Sequence, residues 1–176
     1  QKKDLHGYKK GKRSGVSTQW YKNGQKKQEG SYLNDKKGGV FTKWYENGQE
    51  QEQKNYKEGK VEGHQKEWYK SGVKKSEYVV KEGDNISGKS WFSTGSIELD
   101  ANGDSGEVIS WHENGQLKAK GNRKNGILVV WSESGQKLQE VEFRNGKRNG
   151  RFFSWYENGK KAEESNYNKG KLQGFK

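Results

Sequence analysis

The sequence predicts an all-β protein built from about seven consecutive antiparallel β-hairpins. The first observation is the spacing of the seven tryptophans, which follow one another at intervals of 24, 24, 23, 20, 20 and 24 residues. The second is that a glycine comes four residues after each tryptophan, so that a turn follows it. The third is alternation before the tryptophan, as in Val16, Thr18 and Trp20 against Ser17 and Gln19, which is the period of a β-strand. The tryptophan segments are residues 20–24, 44–48, 68–72, 91–95, 111–115, 131–135 and 155–159.

A second turn separates the repeats. It has the form Gly-Lys-x-x-Gly and lies at residues 11–15, 59–63, 146–150 and 170–174, with looser versions at 35–39 and 83–88. Each repeat therefore holds two strands and two turns. Asn-Gly pairs such as Asn47-Gly48 end several tryptophan segments. Because Asn-Gly is the usual sequence of a two-residue type I′ hairpin turn, we expect that turn type there.

Composition limits the size of the core. Leu, Ile, Val and Phe make up 27 of 176 residues, 33% of residues are charged and the net charge is +12, which is typical of disordered chains. The 22 regularly spaced aromatic residues argue instead for a rod of stacked repeats. We expect residues 1–176 to form one continuous array with incomplete repeats and open edges at both ends. Residues 1–8 and the last turn are expected to be poorly ordered or to pair with another molecule.

The aromatic residues divide into two groups. Tryptophan is expected to form the thin core, because large rings dominate burial where aliphatic residues are few. The residue after tryptophan faces the other side of the strand, so it is the candidate for an exposed aromatic ladder that binds a ligand. The predicted core residues are Trp20, Trp44, Trp68, Trp91, Trp111, Trp131 and Trp155, and the predicted ladder is Tyr21, Tyr45, Tyr69, Phe92 and Tyr156.

Basic residues concentrate in the inter-repeat turns. An array of stacked repeats would display them along one edge, where they would attract acidic proteins, anionic lipid or nucleic acid. Lysine on a β edge also protects against aggregation, and that alternative interpretation stays open. The candidate binding residues of this group are Lys12, Arg13, Lys36, Lys37, Lys147 and Arg148.

Little in the sequence points to catalysis or to a cofactor. The chain has no cysteine, and His6, His64 and His112 occur singly, without the spacing of a metal site. Residues 83–90 have the letters of a phosphate-binding loop, but a tryptophan segment follows where that loop needs a helix, so an inter-repeat turn is the better interpretation. We expect no catalytic residue, no metal and no cofactor.

The repeated Trp-Tyr-Glu-Asn-Gly of residues 44–48 and 155–159, together with Asn-Gly-Lys-x-x-Gly at 145–150, resembles the bacterial MORN repeat variant. Some proteins with that repeat are described as antitoxin-like. The resemblance covers nearly the whole chain, although the middle copies depart at the Asn, at the second aromatic residue or at the inter-repeat turn. It implies a hairpin rod and a protein-interaction or phospholipid-binding scaffold, with catalysis only on attached domains.

The sequence thus favours a non-enzymatic scaffold that binds a protein through an aromatic and basic sheet face. The alternatives are a binder of polyanionic or cell-envelope ligands, namely anionic lipid, wall polymer or nucleic acid, and an antitoxin that neutralises a toxin. End-to-end self-association would follow from open edges. No segment is long and apolar enough to be an integral membrane span. We expect a periplasmic or cell-surface location, with the cytoplasm as the alternative.

Overall fold

The computed structural model describes residues 4–174. Within them the regular structure is antiparallel β-strand throughout. The contacts divide the chain into two units, unit 1 (Gln1–Gly95) and unit 2 (Ser96–Lys176). In each unit the strands lie side by side in the order of the chain. The all-β fold of consecutive hairpins is confirmed.

Strands of five to nine residues alternate with tight turns, apart from a last strand of two residues. Unit 1 contains β1 Leu5–Lys9, β2 Lys12–Trp20, β3 Lys26–Leu33, β4 Lys36–Trp44, β5 Glu50–Lys57, β6 Lys60–Trp68, β7 Lys74–Lys81 and β8 Asp84–Trp91. Unit 2 contains β9 Ile97–Asn102, β10 Glu107–Trp111, β11 Leu117–Asn122, β12 Asn125–Trp131, β13 Lys137–Arg144, β14 Lys147–Trp155, β15 Lys161–Asn168 and β16 Lys171–Leu172.

The turn after each tryptophan is not the type I′ turn that the sequence predicts. In the second repeat the amide of Gly48 donates to the carbonyl of Tyr45 at 2.9 Å, and the amide of Tyr45 donates to the carbonyl of Gln49 at 2.8 Å. Gly48 has a φ of 87°, whereas Asn47 is not among the residues with positive φ. This is a type I turn followed by one left-handed glycine, the usual three-residue hairpin loop. The side chain of Asn47 stabilises this turn, because its Oδ1 accepts a hydrogen bond from the amide of Gln49.

The type I′ turns lie between the repeats. Glu58 and Gly59 have φ values of 51° and 86°, so both central residues are left-handed. The same pair of conformations recurs at five other inter-repeat turns, but not at the turns between β9 and β10 and between β11 and β12. The five turns are Lys10-Gly11, Asn34-Asp35, Glu82-Gly83, Asn145-Gly146 and Lys169-Gly170.

One position of the repeat, three residues before tryptophan, is buried in six of the seven repeats. Because side chains alternate along a strand, this position faces away from the tryptophan. The ring of Phe41 shows the packing there, with edge-on contacts to Tyr32 and Tyr56 at centroid distances of 5.2 Å. We call this side the core face and the opposite side the Trp face. Buried residues at this position are Ser17, Phe41, Gln65, Val108, Leu128 and Phe152.

The prediction that tryptophan forms the buried core is wrong. All seven tryptophans are only half-buried, on the Trp face. On the core face of unit 2, Val108, Ala119 and Leu128 form a buried cluster. The core is therefore thin and lies on the side of the sheet opposite to the tryptophan rings.

Two expectations about particular segments have different outcomes. Strand β1 begins at Leu5 and pairs with β2, and β16 pairs with β15, so the expected poor order is wrong for residues 5–8 and for the last turn. Pairing of these edges with another molecule stays a prediction. Residues 1–3 and 175–176 lie outside the described residues. Residues 83–90 form the end of a turn and most of β8, as the repeat pattern predicts, and contain no phosphate-binding loop.

Candidate functional site

Lysines lie over the tryptophan rings of the Trp face. In each case the lysine comes six residues after the tryptophan of one repeat and covers the tryptophan of the next. Such cation–π contacts contribute about 0.5–1 kcal/mol each at exposed sites. The pairs, with the distance from lysine Nζ to ring centroid, are Lys26–Trp44 (5.6 Å), Lys74–Trp91 (5.2 Å) and Lys137–Trp155 (5.0 Å).

The same three lysines, and Lys161 six residues after Trp155, form ion pairs with a glutamate three residues further along the strand. The lysine Nζ to carboxylate distances are 2.8 Å for Lys26–Glu29, 2.8 Å for Lys74–Glu77, 2.6 Å for Lys137–Glu140 and 2.7 Å for Lys161–Glu164. The hydrogen bond from Lys26 holds the pKa of Glu29 below its ordinary value, and Lys74 does the same for Glu77. The Trp face therefore carries paired charges of both signs beside its rings.

Apolar side chains on the Trp face of unit 1 are well exposed. Val16 is 52% and Val40 56% exposed, and alternation places them on the same side as Trp20 and Trp44. They lie two strands apart, at the same position of successive repeats. The Trp face thus combines exposed valines, half-buried rings and ion pairs.

The predicted aromatic ladder has a structural role in most repeats. The hydroxyls of Tyr21, Tyr45 and Tyr69 donate to the carbonyls of the tryptophans in the following repeats, at 2.8, 2.9 and 3.0 Å. These three tyrosines and Phe92 are half-buried. Tyr156 is 59% exposed. Whether these residues contact a ligand stays a prediction.

Asparagines of the tryptophan turns also connect repeats, which the sequence does not reveal. The Oδ1 of Asn47 accepts from the amide of Gln49 at 3.2 Å, and its Nδ2 donates to the carbonyl of Lys70 at 3.1 Å. Asn23 and Asn114 make the equivalent pairs of bonds. The recurrence of Asn at this position could have indicated this role. The Asn-Gly pattern indicated instead that the Asn has a positive φ.

The predicted basic residues of the inter-repeat turns divide into two sets. One set lies against rings of the core face, with Arg13 over Tyr32 at 4.3 Å, Lys37 over Phe41 and Tyr56 at 4.9 and 4.7 Å, and Arg148 over Phe152 and Tyr167 at 5.5 and 5.4 Å. The other set, Lys12, Lys36 and Lys147, is exposed. The exposed set is the one that remains available for an anionic ligand.

Positive charge is concentrated in unit 1. Residues 1–95 contain 21 Lys and Arg against 12 Asp and Glu, a net charge of +9. Residues 96–176 contain 14 against 11, a net charge of +3. Long-range attraction of an acidic partner would therefore be directed mainly to unit 1.

The core face of unit 1 contains a charged network around Glu52. Glu52 accepts from Lys43 at 2.9 Å and from Lys54 at 2.6 Å. Burial raises the pKa of Glu52, but the two lysines outweigh burial and hold it below its ordinary value. Burial also raises the pKa of the neighbouring Tyr78. Gln65 is 1% exposed and is satisfied by the backbone, since its Oε1 accepts from the amide of Asn55 at 3.1 Å.

Residues 4–174 contain neither a cluster of metal ligands nor a membrane-spanning helix. No three His, Asp or Glu side chains of that range are grouped so that they could hold a metal ion. The same range contains no helix with the length and apolarity needed to cross a membrane.

Comparison with known families agrees with this architecture. The model of the MORN repeat variant matches residues 13–34, 37–58, 105–125 and 148–169. Each matched segment contains one tryptophan turn and the two strands that flank it. No curated protein matches the chain significantly. Repeats of this family are binding and scaffolding modules without enzymatic activity of their own. The chain is a MORN-type repeat protein.

Proposed function

We propose that this protein is a scaffold that binds a partner protein on the Trp face of unit 1. The observation that carries the proposal is the mixture of groups on that face. Lys26 and Lys74 stack on tryptophan rings while pairing with glutamates, and Val16 and Val40 are exposed on the same face. Aromatic anchors with paired charges of both signs are typical of protein-binding surfaces.

Charge balance on the Trp face argues against a simple polyanion there. Each lysine that covers a tryptophan has its own carboxylate within 2.8 Å. A chain of phosphates would have to displace or approach Glu29 and Glu77, which repel it. A protein surface can instead match both signs and bury the valines and ring edges.

A second candidate function is favoured by the exposed lysines of the inter-repeat turns. Lys12, Lys36 and Lys60 occupy the same position in three successive turns of unit 1 and are all exposed. Equivalent positions two strands apart are separated by about 9–10 Å. Such a row of cations suits a polyanion such as an anionic lipid surface or a nucleic acid.

The test is selection of 16-residue peptides from a random display library on the whole chain, followed by affinity measurement of the synthetic winners. The proposal predicts winners that combine aromatic or aliphatic residues with charges of both signs. Their binding should persist at high salt because apolar burial is insensitive to screening. Winners that are only acidic, with binding that falls steeply as salt rises and weakens in Lys12→Gln, would favour the polyanion function instead.

A matched pair of variants locates the binding surface. Val40 on the Trp face and Leu172 in β16 are both 56% exposed, so Val40→Asp and Leu172→Asp change the charge equally at equally exposed places. We expect Val40→Asp to weaken peptide binding roughly tenfold, on the order of 1.4 kcal/mol, with no effect of Leu172→Asp. Equal effects of the two variants would show that the Trp face of unit 1 is not the binding surface.

A further inference from the structure

A wide pocket opens on the core-face side of the third repeat, around the type I′ turn at Glu58-Gly59. Its volume is about 1280 Å³. The floor contains Tyr78 and Val80, and four lysines line it: Lys36, Lys54, Lys57 and Lys60. The pocket lies within unit 1, and Lys54, Val61 and Tyr78 in its lining belong to the core face, opposite to the Trp face.

The pocket exists because the third repeat lacks the cation that covers this place elsewhere. In the second repeat Lys37 lies over the rings of Phe41 and Tyr56. Lys37 lies seven residues before Trp44. The residue at the same position before Trp68, in the third repeat, is Val61, which lines the pocket. A valine is too short to reach across the sheet as the lysine does.

Lys54 is an unusual lysine at the base of this pocket. Its side chain is only 25% exposed, and its Nζ donates to Glu52 at 2.6 Å. The other carboxylate oxygen of Glu52 is bound by Lys43 at 2.9 Å. Glu52 is therefore held in place, and it holds the ammonium group of Lys54 in turn. An ammonium group has three donors, and Lys54 can therefore bind a second carboxylate from the pocket.

Three glutamates also line the pocket, and the positions of their carboxylates determine which ligands it can bind. Glu62 accepts the main-chain amide of Glu82 at 3.2 Å, so it is engaged with the neighbouring turn. Glu58 and Glu82 occupy the first left-handed positions of two type I′ turns and are exposed at the tips. These tips repel a dense, uniform polyanion, whereas a peptide can place single carboxylates between them.

We propose that this pocket binds an acidic segment of a partner protein, with one carboxylate on Lys54 and neighbouring carboxylates on Lys57 and Lys60. Tyr78, Val80 and Val61 supply an apolar floor for the methylene groups or rings of the same segment. This goes beyond the proposed scaffold function, because it is a second site on the other side of the sheet and requires no contact with the tryptophans.

The test uses fluorescence anisotropy of the whole chain with a labelled octapeptide of alternating Glu and Tyr, and with its Gln-Tyr counterpart. The pocket variant is Lys57→Gln with Lys60→Gln. The control is Lys22→Gln with Lys70→Gln, two exposed lysines at the other edge of unit 1, which removes the same charge. Circular dichroism and the unfolding temperature check that both variants fold.

We expect the acidic octapeptide to bind and its Gln-Tyr counterpart not to bind. The pocket variant should lose roughly tenfold in affinity and the control less than about twofold. Val61→Phe, which fills the pocket without changing the charge, should also weaken binding. Equal losses in pocket and control variants would overturn the site by showing diffuse attraction. Polyphosphate and anionic phosphatidylserine vesicles are tested in the same way. If either binds more strongly than the octapeptide, and if that binding is lost in the pocket variant, the assignment of a peptide ligand would be overturned.

The two proposals fail separately. Val40→Asp changes the Trp face and is expected to leave octapeptide binding unchanged, while the pocket variant is expected to leave the library-selected peptides bound. If Val40→Asp abolished octapeptide binding and the pocket variant did not weaken it, the pocket proposal would be overturned. The proposal of a binding surface on the Trp face would be unaffected.

Discussion

The hydroxyl of Tyr45 donates a hydrogen bond to the main-chain carbonyl of Trp68, 23 residues further along the chain, at 2.9 Å. The bond connects the tryptophan turn of one repeat to the end of the equivalent strand in the next. His112 occupies the same position in unit 2 and places its Nε2 3.0 Å from the carbonyl oxygen of Trp131. Different side chains therefore perform one structural task, which is to couple adjacent repeats.

The first prediction concerns this bond. Tyr45→Phe removes the hydroxyl and leaves the half-buried carbonyl of Trp68 without its donor, so the free energy of unfolding should fall by about 1 kcal/mol. Tyr156 is 59% exposed, and Tyr156→Phe is expected to change nothing. Urea denaturation measures both. If the two variants are equally stable, the tyrosine hydroxyl does not couple the repeats.

The second prediction concerns the asparagines of the tryptophan turns. Asn47→Ala removes both the local bond to Gln49 and the bond to Lys70 of the next repeat, so a loss of about 1–2 kcal/mol is expected. For Asn158 the structure gives only the local bond from the amide of Lys160, at 3.0 Å. Asn158→Ala should therefore cost less. A larger loss for Asn158→Ala would contradict a coupling role of this side chain.

The third prediction tests the packing of the core face. A Cβ at Gly30 would overlap the ring of Phe41, whereas a Cβ at Gly38 would meet no atom within 4 Å. Gly30→Ala is expected to destabilise the protein by about 1–3 kcal/mol, because the ring cannot move away in a well-packed core. Gly38→Ala serves as the control in the same thermal unfolding experiment. An unchanged unfolding temperature for Gly30→Ala would mean that Phe41 is not held as described.

The fourth prediction is acid sensitivity. Glu52 has a folded-state pKa below its ordinary value of 4.5 because Lys54 and Lys43 outweigh the effect of burial. A group whose pKa is lowered by folding stabilises the protein above the unfolded pKa, and this contribution is lost as the pH falls through the folded pKa. Glu29 and Glu77 change in the same direction. The unfolding temperature should therefore decline below a pH of about 4.5.

A variant shows how much of this decline belongs to Glu52. Glu52→Gln cannot titrate, so its unfolding temperature should start lower at neutral pH and fall less steeply in acid than that of the original protein. Parallel curves for the two proteins would mean that the network of Glu52 with Lys43 and Lys54 contributes no pH dependence.

Much of the fold was predictable because each repeat is marked by sequence patterns that depend only on neighbouring residues. The tryptophan spacing, the alternation and the two glycine-marked turns locate the strands, from β2 (Lys12–Trp20) to β15 (Lys161–Asn168). The two turn types could not be assigned correctly from dipeptides. Asn-Gly fits a type I′ turn by propensity, but a side-chain bond from Asn47 to the next repeat selects the type I turn with a left-handed Gly48.

The candidate sites were less predictable, since they depend on which neighbour lies beside each side chain. Arg13 and Lys12 are adjacent in sequence, yet Arg13 lies over Tyr32 and Lys12 is exposed. The lysines that cover tryptophans, such as Lys26 on Trp44, come from the preceding repeat. No pattern within one repeat reveals a contact that forms only when two repeats pair.

The sequence by itself therefore determined the repeat, its strands and the positions of its turns, because period-two alternation and glycine are local properties of the chain. Only the tertiary structure decided which side of each strand is buried. It placed Phe41, Val108 and Leu128 in the core and left tryptophan half-buried on the opposite face. The physical reason is that burial depends on the strands that pair on both sides, and Phe41 is buried by Gly30, Tyr32 and Tyr56 of the neighbouring strands.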